Sequence, residues 1–352
     1  MGFYKYKNVF LLISGLTLIV LGYIFLSFFV FMYTPVSKAT DDVIIDIPRG
    51  QSLRSTINVL HDEKLIRNEK KFLILAKLRR AGKRIKSGEL IFNKHMTPLS
   101  VLDTLINGKV VNYSFTVPEG YNIYQIADIL KDKHIIKETG GFLSAARDKT
   151  LIHDLGLNVD SMEGYLFPET YVIEKIKDPK TLLRIMYKQY RKVMAPKLVN
   201  RAYELGFTEN EILTLASIIE KETGYGPERK IISSVFHNRL KKKMRLQSDP
   251  TTIYGLWENF DGNLTKSCLR TYTPYNTYKI LGLPKGPIAS PGEDAILAAL
   301  YPAKTNYLFF VSRNDGTHVF SEDYKAHKDS VERFQKNPAS RRGKSWRDVH
   351  SQ

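Results

Sequence analysis

The residue of this chain best placed for chemistry is Glu220, which closes an otherwise apolar run, Ile212-Leu213-Thr214-Leu215-Ala216-Ser217-Ile218-Ile219-Glu220. A carboxylate among apolar neighbours is costly. Desolvation raises its pKa, so it stays protonated near neutrality and can donate a proton. Ile212, Ala216 and Glu220 stand at i, i+4 and i+8, so on a helix they share one face, with Leu215 and Ile219 alongside. A blander reading stands beside this one: the last turn reaches solvent, and Glu220, Lys221 and Glu222 form an ordinary charged end. Glu220 and Glu222 are two apart and point to different sides of a helix, so they cannot flank one bond together. The other carboxylates near polar and aromatic residues are Glu163, Glu169 and Asp249.

Competing chemistries are poorly supplied. The eight histidines form no His-Glu-x-x-His or Cys/His cluster, so no metal site is legible. Gly282-Leu283-Pro284-Lys285-Gly286-Pro287 has prolines where a phosphate loop needs amide donors, and no Gly-x-Ser-x-Gly elbow occurs. No cofactor is expected. Carboxylate chemistry remains, and glycosidic cleavage fits it.

Elements that could position Glu220 are readable around it. Thr208 with Glu211 forms a capping box for its helix, and Gly224 and Gly226 mark the expected end. Longer helices are predicted over Leu182–Leu205 and Ile231–Met244. Ser290-Pro291-Gly292-Glu293 reads as a helix start with a serine cap, proline at the first helical position and a capping-box Glu, and Pro302 as its stop. Tyr307–Ser312 and His318–Ser321 flank Asn314-Asp315-Gly316, a hairpin signal.

Upstream, Ile47-Pro48-Arg49-Gly50-Gln51-Ser52-Leu53 recurs 70 positions later as Val117-Pro118-Glu119-Gly120-Tyr121-Asn122-Ile123. Each copy predicts a strand, a Pro-x-Gly turn and an amphipathic helix, a small α+β unit. Two copies are too few for a solenoid. The first resembles a LysM-like carbohydrate-binding pattern. Each copy is either a module that holds a polymer or a packing unit without a ligand.

Residues 9–33 contain no charged side chain and are long enough to cross a bilayer as a helix. Lys5 and Lys7 precede them, which places the N-terminus in the cytoplasm and the rest of the chain outside. A cleaved signal peptide, with Ser37 and Ala39 as its cleavage site, is the competing reading. The lone Cys268 excludes an intramolecular disulfide. Setting Lys5, Lys7 and Lys38 aside lowers the net charge only from +17 to +14, so the outer part is itself basic. Outside a membrane, anionic lipid or an anionic cell-wall polymer suits that charge better than nucleic acid.

A series of motifs gives the chain a family likeness. They are Glu163-Gly164-Tyr165-Leu166-Phe167-Pro168-Glu169-Thr170-Tyr171, Leu215-Ala216-Ser217-Ile218-Ile219-Glu220-Lys221-Glu222-Thr223, Val235-Phe236-His237-Asn238-Arg239-Leu240 and Met244-Arg245-Leu246-Gln247-Ser248-Asp249-Pro250-Thr251. Tyr275-Asn276-Thr277-Tyr278, Gly282–Ile288 and Pro302-Ala303-Lys304-Thr305 complete it. In this order, over most of residues 43–335, they resemble the membrane-anchored endolytic murein transglycosylases of the MltG or YceG-like family.

The resemblance implies a lyase that cuts peptidoglycan between N-acetylmuramic acid and N-acetylglucosamine. The muramyl 6-hydroxyl, rather than water, captures the anomeric carbon and leaves a 1,6-anhydro end. Glu220 matches the family's catalytic acid/base. Gln247, Asp249, Asn238, Asn276 and Tyr278 are the expected substrate contacts, with Glu163 and Glu169 near the cleft, although each has a structural reading too. The implied fold is α+β: a cytoplasmic tail (1–8), a transmembrane helix (9–33), a linker (34–42), a LysM-like module (43–112), a second small α+β unit (113–160), a mixed α/β catalytic domain (161–335) and a basic tail (336–352). The implied role is to terminate or trim nascent glycan strands at the bacterial inner membrane. Peptidoglycan strands and the lipid bilayer are the expected partners, together with peptidoglycan synthases by family analogy; nucleic acid is not. Two alternatives stay open, a non-catalytic wall-binding anchor and a lysozyme-like hydrolase pairing Glu220 with Asp249 or Glu163.

Overall fold

The computed structural model describes residues 2–176 and 178–337, so the expected basic tail lies, past Asn337, outside the described residues. The chain is mixed α+β and mostly helical. Its described residues fall into two compact units, one reaching Tyr113 and including Val172–Lys175, the other built of Ser114–Tyr171 and the chain from Ile176.

In the first unit, α1 (Gly2–Tyr33) carries the apolar stretch Val9–Tyr33, 25 residues of mean hydropathy 2.6, which is long enough to cross a bilayer. Strands β1 (Asp42–Ile47) and β2 (Gly88–Asn93) pair antiparallel, Ile45 opposite Leu90 and Val43 opposite Phe92. Burial alternates along both strands: Ile45, Ile47, Leu90 and Phe92 are buried, while Ile44 and Ile91 face outward. Helices α2 (Leu53–Asp62), α3 (Glu69–Leu78) and α4 (Pro98–Asn107) close the core with Leu60, Phe72, Leu102 and Leu105. Phe28, Phe31 and Met32 of α1 pack against this core, and Lys71 Nζ donates to Ser27 Oγ at 2.8 Å.

The chain passes into the second unit within β3 (Tyr113–Thr116) and continues through α5 (Ile123–Asp132), α6 (Thr139–Ala145) and α7 (Lys149–Asp154) to β4 (Thr170–Ile173), which pairs with β3. Helices α8 (Pro179–Val193), α9 (Pro196–Glu204), α10 (Glu209–Glu222), α11 (Arg229–Lys241), α12 (Asp249–Gly255), α13 (Lys266–Arg270) and α14 (Glu293–Leu300) follow. A hairpin of β5 (Phe309–Ser312) and β6 (His318–Ser321) and then α15 (Tyr324–Val331) end the regular structure.

The internal repeat is a structural one. Gly50 and Gly120 both take positive φ (80° and 75°) between strand and helix, and Ser52 and Asn122 cap α2 and α5. Lys64 and His134 turn left-handed after the two helices, at φ 60° and 56°.

Two helix predictions need correction. The single helix expected over Leu182–Leu205 is broken into α8 and α9 because Pro196 has no N–H to donate and holds Ala195 at ψ 158°, outside the helical region. The helix expected over Ile231–Met244 starts earlier and ends earlier, since Lys243 at φ 54° has already turned the chain. The hairpin turn forms as read, with Asn314 and Gly316 at positive φ and Arg313 N–H donating to Thr317 O at 2.9 Å.

Candidate active site

Glu220 sits in the last turn of α10. The capping box starts that helix: Glu211 N–H donates to Thr208 Oγ1 at 3.2 Å, and Thr208 N–H to Glu211 Oε2 at 2.8 Å. Every residue from Ile212 to Ile219 is buried, because α9, α11, α12 and α14 all pack around α10. The apolar run thus reports a helix buried all round rather than on a single stripe. The expected glycine terminator is not used. Thr223 leaves the helix extended (φ −143°), its N–H reaching Ile219 O, so that the chain can enter the short turn at Gly226–Glu228.

Two other segments meet α10 at Glu220. Ile288 N–H donates to Ser217 Oγ at 3.0 Å, and one helical turn later Gly292 N–H donates to Glu220 Oε2 at 3.1 Å, so residues 288–292 lie along α10. The turn of the second repeat packs on the same place: Gly120 N–H donates to Ser290 O (2.9 Å) and Ser290 N–H to Tyr121 O (2.8 Å). Lys221 Nζ donates to Gly120 O at 3.1 Å. The capping box expected at Ser290–Glu293 is therefore absent. Helix α14 begins at Glu293 with Gly292 as an N-cap that makes no side-chain bond; the Ser290 N–H that Glu293 would accept in such a box goes to Tyr121 O, and the Gly292 N–H goes to Glu220.

The Glu220 side chain is only 7% exposed, with Oε1 3.6 Å from the Arg229 guanidinium. Burial raises its pKa, the Gly292 N–H and the Arg229 charge pull it back, and the nearby charge of Glu119 pushes it up again, leaving it raised. A carboxyl group that holds its proton more tightly than usual, yet has a donor and a cation ready for its anion, is suited to giving a proton and taking one back.

The remaining predicted residues do not all join Glu220. Glu222 points the other way, as its spacing required; Ser248 Oγ donates to it at 2.5 Å, and burial raises its pKa to about 7. Gln247 and Asp249 are exposed on that Glu222 side, where Tyr278 OH donates to Asp249 Oδ1 at 2.7 Å. Gln247 is held at φ 49° by a backbone that any side chain but glycine or asparagine adopts reluctantly.

Asn276 and Asn238 make hydrogen bonds within the protein, as their structural reading expects. Asn276 is fully buried, its amide donating to Thr271 O at 2.6 Å and its carbonyl accepting from Thr252 Oγ1 and Tyr278 N–H. Asn238 Nδ2 donates to Thr305 O and Tyr307 O at 2.8 and 3.0 Å, tying α11 to the strand that follows.

Glu163 is 2% exposed; its Oε2 accepts from Ile123 N–H and Tyr254 OH, and burial raises its pKa to about 7. It lines a cavity of about 420 Å³ with Asn210, Tyr275 and Lys285, and Glu220 is not part of that lining. Glu169 is exposed and accepts from its neighbour's Thr170 N–H. Among the described residues no three His, Cys, Asp or Glu side chains are grouped as metal ligands would be.

Residues 45–333 match the profile of the YceG-like family. The chain belongs to that family. It is 34% identical over 328 residues to an endolytic murein transglycosylase of Bacillus subtilis strain 168, covering 85% of this chain and 87% of that one. A second endolytic murein transglycosylase, of Streptococcus pneumoniae serotype 2 strain D39, is 29% identical over 306 residues, or 77% of this chain and 54% of the pneumococcal one. The crystal structure of a YceG-like protein from Listeria monocytogenes, at 31% identity, covers 83% of this chain and all of its own, with a TM-score of 0.58.

Three residues of this YceG-like site were not singled out by sequence. Arg229 is 8% exposed; it faces Glu220 and Asp294 (3.2 Å), and its Nε has no hydrogen-bond partner among the described residues. Glu119 lies against Gly292 on the other side. Nothing local marks Arg229 or Asp294. Glu119 carried one signal: it replaces Arg49 of the first repeat, reversing the charge at the tip of the same turn.

Proposed function

We propose that this chain is an endolytic murein transglycosylase, the activity for which its Bacillus subtilis and pneumococcal relatives are named. It cuts peptidoglycan glycan strands internally, with Glu220 as acid and then base. The observation that carries the reading is the buried Glu220 carboxyl, raised in pKa yet faced by the Gly292 N–H and Arg229.

Protonated Glu220 gives its proton to the oxygen that leaves C1 of N-acetylmuramic acid, and the C1–O bond breaks. The resulting carboxylate is stabilised by Gly292 N–H and Arg229, then takes the proton of the muramyl 6-hydroxyl as O6 bonds to C1. One bond replaces another, the acid is regenerated, and no water is consumed. Asp249 offers little to a lysozyme-like route, since it is bound to Tyr278 on the Glu222 side.

The anchor reading adds the place of action. The apolar helix Val9–Tyr33, preceded by Lys5 and Lys7, supports a single span of the cytoplasmic membrane with the rest of the chain outside. Residues 43–112 then form a LysM-like module near the membrane, while the unit at 113–160 and the region at 161–335 share the site. Placed there, the enzyme trims or terminates new strands beside the synthases that make them. A reporter active only outside the cytoplasm, fused after residue 40, should be active; an inactive fusion removes the anchor reading.

The activity is tested by digesting purified peptidoglycan strands and reading the new ends by mass spectrometry. Products ending in 1,6-anhydro-N-acetylmuramic acid are expected. Free reducing ends in their place overturn the transglycosylase assignment.

A further inference from the structure

The second repeat places a carboxylate beside Glu220 that a one-acid mechanism does not use. The two Pro-x-Gly turns provide an internal control. Around Gly50 of the first copy nothing lies within 4 Å of where a Cβ would stand, and Arg49 beside it is solvent-exposed. Around Gly120 the same test position lies 3.6 Å from Glu220 Cγ and 3.4 Å from Lys221 Cδ. The same local turn has thus been set onto the end of α10, held by the bonds to Ser290 and from Lys221, with Glu119 at its tip.

Gly292 gives an independent sign that the Glu119 carboxylate belongs there. Its φ of −72° is open to any residue, so backbone freedom does not call for glycine. Space does, because a Cβ at 292 would stand 1.8 Å from Glu119 Oε1 and 2.2 Å from its Cδ. Since Gly292 N–H is bonded to Glu220 Oε2 at 3.1 Å, ordinary bond lengths put the two carboxylates within about 8 Å of each other. Paired carboxylates of glycosidases stand at comparable separations. Glu119 is exposed, and its carboxylate makes no hydrogen bond or ion pair among the described residues. Arg229 supplies a second, buried polar group without a full set of partners: its Nε has no hydrogen-bond partner among the described residues.

We propose that Glu119 is the second carboxylate of this active site, an electrostatic residue that keeps Glu220 protonated before cleavage and stabilises the positive charge that develops at the anomeric carbon. This rests on the transglycosylase reading with Glu220 as the acid. Glu119 takes no proton and forms no bond; its charge works at both stages in the same direction. The charged groups facing Glu220 are Arg229 at the start of α11, Lys221 on its own helix and Glu119, with Asp294 of α14 acting through Arg229. Only Glu119 and Asp294 are negative, and Asp294 is engaged by Arg229 at 3.2 Å.

The test compares the full chain in detergent with Glu119→Gln, Glu119→Asp, Gly292→Ala and Glu220→Gln, on purified glycan strands across pH. Glu119→Gln should lower kcat by about tenfold to a hundredfold with KM nearly unchanged, and shift the alkaline limb of the rate profile to lower pH. Gly292→Ala keeps both carboxylates but displaces the flexible end of Glu119, and it should shift the limb the same way. Glu119→Asp should recover part of the loss. An unchanged kcat and alkaline limb in Glu119→Gln overturns the proposal, as does a loss confined to KM or to thermal stability. If Glu119→Gln does not fold, Gly292→Ala with a wild-type kcat and limb is the overturning result. An active Glu220→Gln instead brings down the reading beneath it, so the two failures are distinguishable.

Discussion

Replacing Glu220 by Gln should abolish cleavage while leaving the fold intact, and the structure sets the size of both effects. An amide of the same shape can still accept the Gly292 N–H now at 3.1 Å, so the hold of residues 288–292 on α10 is kept. Burial of an ionisable group is removed, which favours the variant, and the 3.6 Å approach to Arg229 is lost, which disfavours it. Arg229 keeps Asp294 at 3.2 Å. Each change is on the order of 1 kcal/mol and they oppose one another, so the unfolding midpoint should move by only a few degrees. Catalysis has no such compensation. Loss of a general acid costs about 10²–10⁴ in rate, or roughly 3–5 kcal/mol in the barrier. Anhydro-muropeptide release by mass spectrometry, run beside thermal unfolding and binding of uncut glycan, measures all three quantities. A variant that folds, binds and still turns over at more than a tenth of the wild-type rate refutes the argument.

Other variants separate structure from chemistry. Burial lifts the pKa values of Glu163 and Glu222 to about 7, so each folded group holds a proton that its unfolded form has lost. Stability should therefore fall as pH rises from about 4.5 to about 7, by up to roughly 3 kcal/mol for each group. Glu222→Gln, which can still accept from Ser248, should flatten part of that slope in denaturant titrations; an unchanged slope contradicts the assignment. Asn276→Ala strands several buried partners and should cost about 2–4 kcal/mol, lowering the unfolding midpoint. If it instead raises KM at wild-type stability, Asn276 is a substrate contact after all. Gly164→Ala combines a φ of 83° with a Cβ 2.5 Å from Pro287 Cβ, and chemical denaturation should show a loss of about 2–5 kcal/mol. A neutral result there would mean the 287 loop yields freely.

Much of the local structure was legible because its causes are local. The Thr208–Glu211 box, the alternation of Val43–Ile47, the Asn314-Asp315-Gly316 turn and the repeated Pro-x-Gly units depend on spacings of a few residues, and each is realised. Where local rules failed, a distant partner or a stronger local constraint had claimed the group. Pro196 broke a helix that periodicity continued. Ser290 gave Tyr121 O the N–H that its capping box would have used. Asn238 and Asn276 donate to backbone carbonyls, partners that residue type alone does not name.

The sequence by itself determined that a carboxyl closes an apolar helical run, and its ordered motifs pointed to the family. Tertiary structure decided what surrounds that carboxyl, because its neighbours come from chain segments 72 and 101 residues away. No periodicity encodes such pairings; they exist only once α10, the 288–292 segment and the second repeat's turn are packed together. The same packing explains why the sequence could show a carboxyl group in an apolar setting but could not show Arg229 and Glu119, whose opposed charges set how readily Glu220 gives up its proton.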